Sequence, residues 1–173
     1  MAAGDLGKTL GTPIKWLSTG GTYTHTWDSI ATTNGAAGPK HTSALLYPEY
    51  ELFFKAKTGG SAPAVGEYWS VYWCPSKSGT AATENAGKGG LITGVDQGLT
   101  APTASQLSNF QFIGQITFGA SAGTATEYCL YKRFLPRELY GTPVVVNNTG
   151  QTWTTTASEI ELWITPIIFN VAQ

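Results

Sequence analysis

Gly119-Ala120-Ser121-Ala122-Gly123 has the G-x-S-x-G spacing of a nucleophile elbow, which places a serine on a sharp strand-to-helix turn. The elbow needs a helix after it and a histidine later in the chain. Here Thr124–Leu135 reads as a strand, and both histidines, His25 and His41, come earlier. The segment therefore reads as a hairpin turn of small residues. Gly7-Lys8-Thr9 has the ending of a phosphate-binding loop, but Ala2 stands where its first glycine belongs. Glu159 and Glu161 alternate with Ile160 and Leu162, so the two carboxylates share a strand face roughly 7 Å apart, as an acid–base pair could. Glu49 and Glu51 have the same spacing. With only three Asp in the chain (Asp5, Asp28 and Asp96), both glutamate pairs read as solvated strand faces.

Cys74 and Cys129 are isolated from each other and from the histidines, so no zinc spacing exists, and the expected metal and cofactor set is none. A single disulfide between them is the alternative; without a secretory signal both cysteines are expected as free, buried thiols. Asn147-Asn148-Thr149 fits a glycosylation acceptor, which matters only in a secreted chain. His25 alternates with Tyr23 and Trp27 and is expected to face a core or an interface. Of the six tryptophans (Trp16, Trp27, Trp69, Trp73, Trp153 and Trp163), most lie in strand-like runs where burial accounts for them. Trp153, in the polar stretch 151–156, is the one expected to be exposed and the one on which a sugar could stack. No catalytic residue is assigned, and the chain is not expected to be an enzyme.

The elements that must carry these residues are strands. Period-2 alternation marks 13–17, 22–30, 50–57, 66–74, 109–118, 124–135, 139–147 and 158–164. In 66–74, Tyr68, Tyr72 and Cys74 fall on one side and Trp69, Val71 and Trp73 on the other. Two apolar faces predict a central strand. Pro143 removes a ladder donor, which predicts an edge position or a bulge. Turn residues separate the runs. The Gly/Ala/Ser/Thr-rich interval 75–107 has room for one short helix, best started at Thr103–Leu107 with Thr103 or Ser105 as cap. The expected fold is all-β: a single antiparallel β-sandwich, with residues 1–12 as an N-terminal arm and 13–173 as the domain.

The 173 residues carry ten Lys+Arg, eleven Asp+Glu and a net charge of −1. That balance excludes a basic nucleic-acid binder. Charged residues make up 12%, too few for the polar faces of a helical bundle. Twenty-five threonines replace them, keeping strand surfaces wet without charge. A surface so poor in charge suits packing against neighbours. No apolar run is long enough for a signal peptide or a membrane span, so the expectation is cytoplasmic synthesis and no membrane.

A specific resemblance lies in Phe134-Leu135-Pro136-Arg137, Tyr140-Gly141, the run Val144 to Gly150 (VVVNNTG), and Glu161 to Ile167 (ELWITPI). With Glu67 to Ser76 (EYWSVYWCPS) and the Gly/Asn-rich 83–96, these resemble a group of small tailed-bacteriophage virion proteins over residues 20–168. Here Glu138 and Leu139 intervene between Arg137 and Tyr140, a departure from the P-R-Y-G element of that group. The resemblance implies a jelly-roll-like capsid decoration or cement protein of the phage head. It would bind the major capsid protein on the virion surface and act as a homo-oligomer, with a trimer the natural expectation. Competing readings are a tail, neck or fibre-base component and a carbohydrate-binding β-sandwich module.

Overall fold

The computed structural model describes residues 6–87 and 90–171. Among these, eleven strands form two sheets. The strands are β1 (Leu6–Leu10), β2 (Ile14–Leu17), β3 (Tyr23–Thr24), β4 (Gly35–Ala37), β5 (Tyr50–Lys57), β6 (Tyr68–Ser76), β7 (Gln97–Leu99), β8 (Gln111–Thr117), β9 (Glu127–Phe134), β10 (Tyr140–Asn148) and β11 (Glu161–Val171). One sheet has the order β3-β2-β11-β5-β9, with β1 also paired to β11; the other runs β7-β4-β10-β6-β8. All pairings are antiparallel except β2–β3, so the chain is an antiparallel β-sandwich. The pairs β2·β11, β4·β10, β5·β9 and β6·β8 nest one inside the next, like one long hairpin folded over on itself.

Alternation does the work of assembly. On β5, Tyr50, Leu52, Phe54 and Ala56 are buried, and the residues between them are half-buried on the outer face. They meet Trp69, Val71 and Trp73 of β6 and Val145 of β10 in the main core between the sheets. The opposite side of β6 and β10 is buried too. Cys74, Val144 and Val146 pack with Ala37, Ile92, Leu99 and Phe110 in a second, smaller core. Strand β6 lies between β10 and β8, the interior position its two apolar faces require.

The cover over that second core is the long interval after β6. It holds β7 and one helical turn, α1 (Ala104–Leu107), which Thr103 caps through a reciprocal capping box with Gln106. The interval is pinned by a residue without a sequence signature, Lys40. Its side chain is buried, 1% exposed, and its ammonium donates to Ser76 Oγ at 2.9 Å and to the carbonyls of Ser78 (3.1 Å), Thr80 (2.7 Å) and Thr83 (2.8 Å). Burial pulls its pKa below the ordinary lysine value.

Four expectations are corrected. Pro143 lies in an interior strand, because β10 sits between β4 and β6. A strand residue's nitrogen and carbonyl face the same neighbour. The Pro143 carbonyl accepts from Gly38 N at 3.0 Å, just past the end of β4 at Ala37, so the missing donor falls where that ladder has run out. The Gly119–Gly123 segment is a turn, but it carries the chain from one sheet to the other, not between paired strands. The run 22–30 keeps its alternate burial but forms a ladder only at Tyr23–Thr24, since the chain leaves β2 after His25 N donates to the Leu17 carbonyl (3.0 Å). Cys74 is buried and Cys129 exposed, on opposite outer faces of the sandwich.

Three strands carried no signal. In β4, a Cβ at Gly35 would lie 2.5 Å from the Val145 carbonyl oxygen, so close approach to β10 selects small residues over strand formers. Strand β7 is equally short. Strand β1 falls in the expected arm: residues 6–10 pair in register with 171–167 of β11. On the other side of β11, pairing with β5 ends at Pro166, closed by Ile167 N donating to Glu49 O at 2.9 Å. Beyond that point β1 and β11 run on as a two-stranded ribbon. Residues 1–5 of the expected arm lie outside the described residues.

Candidate functional site

The outer face of the six-stranded sheet carries a row of side chains set by register. Lys15 (β2) pairs with Trp163 (β11), Trp163 with Phe53 (β5), and Phe53 with Tyr131 (β9). The Lys15 ammonium lies 4.3 Å from the Trp163 ring centroid. The Phe53 ring lies 5.5 Å from Trp163, nearly edge-on at 64°, and 4.8 Å from Tyr131. Tyr131 is 67% exposed. Beside this stripe a groove of about 330 Å³ is lined by Leu10, Glu51, Phe53, Tyr131, Trp163 and Thr165, among others.

Charged rows bound the stripe on both sides. Lys55 pairs with Glu161 at 2.6 Å and approaches Glu127 at 3.9 Å; one register step on, Lys57 bonds Glu159 at 2.5 Å. On the opposite side, Glu51 stands across from Arg133. Among the described residues no ion pair within 4.0 Å involves Glu51.

The residues singled out from sequence have other employment. Glu159 and Glu161 form no acid–base pair. Each is bound to a separate lysine, and Glu159 also accepts from Thr154 Oγ1. The Lys57 hydrogen bond, helped by Thr154, holds the Glu159 carboxyl below its ordinary pKa. Glu49 faces Lys8 at 4.0 Å, which places Gly7-Lys8-Thr9 in β1 rather than at a phosphate. Cys74 is an inert buried thiol, pushed up to about 11 by desolvation.

Trp153, expected at the surface, is buried at 1% exposure. Its ring lies 4.7 Å from Trp69 and 5.8 Å from Phe54. The polar residues around it misled the reading, because their backbone turns over a core position. Asn147 is buried there too, donating to the carbonyls of Ile30 (2.8 Å) and Gln151 (2.7 Å), with its own carbonyl accepting from Thr149. The aromatic side chains that meet on this outer face are instead Trp163, Phe53 and Tyr131. The sequence reading accounted for the tryptophans of the strand runs by burial, Trp163 of 158–164 among them, and nothing in the period-2 pattern showed that Phe53 and Trp163 meet.

Both histidines are structural. His25 stacks on Trp27 (4.4 Å), accepts the Trp27 N–H at Nδ1 (3.1 Å) and donates from Nε2 to the Ile160 carbonyl (3.1 Å). The Tyr23 hydroxyl accepts from Thr42 N (3.2 Å) and shares a hydrogen bond with His41 Nδ1 at 3.0 Å. Burial lowers both imidazole pKa values from 6.5; at His25 the Asp96 charge opposes this without overcoming it. Unfolded histidines take up protons near 6.5, and the folded ones only at lower pH. Stability is therefore lost as pH falls from about 6.5 toward the folded values, by up to about 1.4 kcal/mol per delayed pH unit per histidine. Urea unfolding at pH 7.5 and pH 5.5 should show a lower midpoint at the acid value. A His25→Gln chain should show a smaller drop, and equal midpoints for the natural protein would contradict the assignment.

Among the described residues there is no cluster of three or more metal-ligating side chains, and no helix is long and apolar enough to cross a membrane. No protein-family model matches the chain, and no curated protein matches it.

Proposed function

We propose that the chain is a structural protein of a tailed-bacteriophage virion: a decoration or cement protein that binds the major capsid protein and stabilises the assembled head as a homo-oligomer. One observation carries the reading beyond the sequence resemblance. The β1–β11 ribbon continues past Tyr50, where β5 begins and its pairing with β11 stops, with Leu10 61% and Phe169 40% exposed. A two-stranded ribbon on its own is marginal in water and gains most from an added neighbour. The open backbone edge of β11 beyond Ile167 offers ladder groups for strand addition. The nested pairing of eight strands supports a jelly-roll assignment. Threonine in place of charge over the surface supports close packing in a shell.

In this role no bond is made or broken. Each copy adds buried area at a junction between capsid subunits, and many modest contacts become strong through repetition. The test is binding to shells assembled from the major capsid protein of the same genome, followed by electron microscopy. The full chain should occupy regular surface positions. Deleting residues 1–10 should leave the sandwich folded and lower occupancy several-fold. Full occupancy by the deletion overturns the ribbon's role. No binding by the full chain, with the protein found instead in purified tails, moves the assignment to a tail, neck or fibre-base component.

A further inference from the structure

We infer that the groove beside Trp163, Phe53 and Tyr131 is a binding site for a neutral pyranose sugar. The inference does not depend on the virion assignment. A pyranose has one face of C–H groups and a rim of hydroxyls. It is recognised by a flat aromatic surface with hydrogen-bonding groups at the margin. Here the rings are tilted to one another by 64° and 48°, so the platform is a single ring, Tyr131, 67% exposed, with Phe53 and Trp163 as its apolar flank. The Glu51 carboxylate, without an ion-pair partner among the described residues, and the Thr165 hydroxyl lie side by side in the next register step. The carboxylate can accept from sugar hydroxyls, and the threonine can donate and accept. The Lys15 ammonium, 4.3 Å from the Trp163 ring centroid, covers one face of that indole, which leaves Tyr131 as the ring open to a sugar.

Shape and charge narrow the ligand further. A groove of about 330 Å³ is at the small end of ligand sites and fits one or two sugar rings. The apolar strip is one residue deep along the strands, because Lys55–Glu161 borders one side and Glu51 with Arg133 the other. The core of a standard protein interface is depleted of charge, and this strip is too narrow to provide one. Among the described residues Glu51 is the one charged side chain lining the groove, which disfavours uronic and sialic acids.

The site carries its own reporter. The other five tryptophans are at most 2% exposed, so a ligand-induced change in indole fluorescence reports Trp163. The full chain is titrated with cellobiose, maltose and N,N′-diacetylchitobiose, with sialyllactose and glucuronate as acidic controls, by fluorescence and saturation-transfer NMR. At least one neutral sugar should bind and the acidic ones should not. Tyr131→Ala should weaken binding about tenfold or more, and Glu51→Gln several-fold, with unchanged melting temperature because neither side chain is in the core. Three results overturn the proposal: no neutral sugar binding up to about 10 mM, binding that Tyr131→Ala leaves intact, or a self-association of the natural chain that Tyr131→Ala abolishes in the absence of any sugar effect.

Discussion

Replacing Lys40 with methionine should lower the unfolding free energy by about 3 kcal/mol, from stranding several neutral acceptors that its ammonium satisfies. Lysine brings three N–H donors, and here four oxygens converge on them within 3.1 Å. Methionine fills similar space but donates nothing. Three carbonyls and a hydroxyl would then be left in a pocket they cannot leave without unravelling residues 76–83, at about 1–3 kcal/mol for each group stranded. Burial opposes the ammonium, as the lowered pKa records, and the converging acceptors hold it. Serine 76 ties the same knot, since its hydroxyl lies 3.1 Å from the Ser78 carbonyl and 3.2 Å from that of Thr83. Urea unfolding gives the free energy, and amide hydrogen exchange over 76–99 gives the location. A loss below about 1 kcal/mol with unchanged exchange would mean that Lys40 does not pin the cover.

Trp153→Ala should cost about 3–5 kcal/mol, the range for emptying a fully buried large aromatic position. Its ring fills the end of the main core between Phe54 of one sheet and Trp69 of the other. Its backbone is fixed on both sides, by the bridge to Thr58 and by its N–H to the Ile30 carbonyl at 3.2 Å. The site cannot collapse around the cavity without breaking that bridge, which places the cost toward the top of the range. Tyr131→Ala, on the outer face, is the control and should stay within about 0.5 kcal/mol of the natural chain. Equal denaturant midpoints for the two variants would reverse the assignment of Trp153 to the core.

The contrast between these aromatics marks where sequence reading stops. The alternation expected along 50–57 holds in β5, and alternation along 158–164 put Glu159 and Glu161 opposite Ile160 and Leu162, which are buried in the sandwich. The two apolar faces of 66–74 placed β6 in a sheet interior, and Thr103 capped the helical turn α1. These are local properties, written in periods of two and in the hydrogen-bonding reach of one side chain. They determined a β-sandwich and which residues share a face.

The partner of each face was decided by pairing across the chain. Register brings Trp163, Phe53 and Tyr131 into one row from three strands, the outer two separated by 32 positions in sequence. Trp153 went inward because the turn around it closes over Phe54 and Trp69, which its polar neighbours could not reveal. Strand β4 exists because β10 offers it a ladder and β7 because β4 does, and Gly35 of β4 lies too close to β10 for a side chain. Lys40 reads as a surface lysine until the carbonyls of 78–83 are brought to it. A backbone carbonyl has no residue type, so a site made of carbonyls and cross-strand neighbours has no signature before the chain is folded.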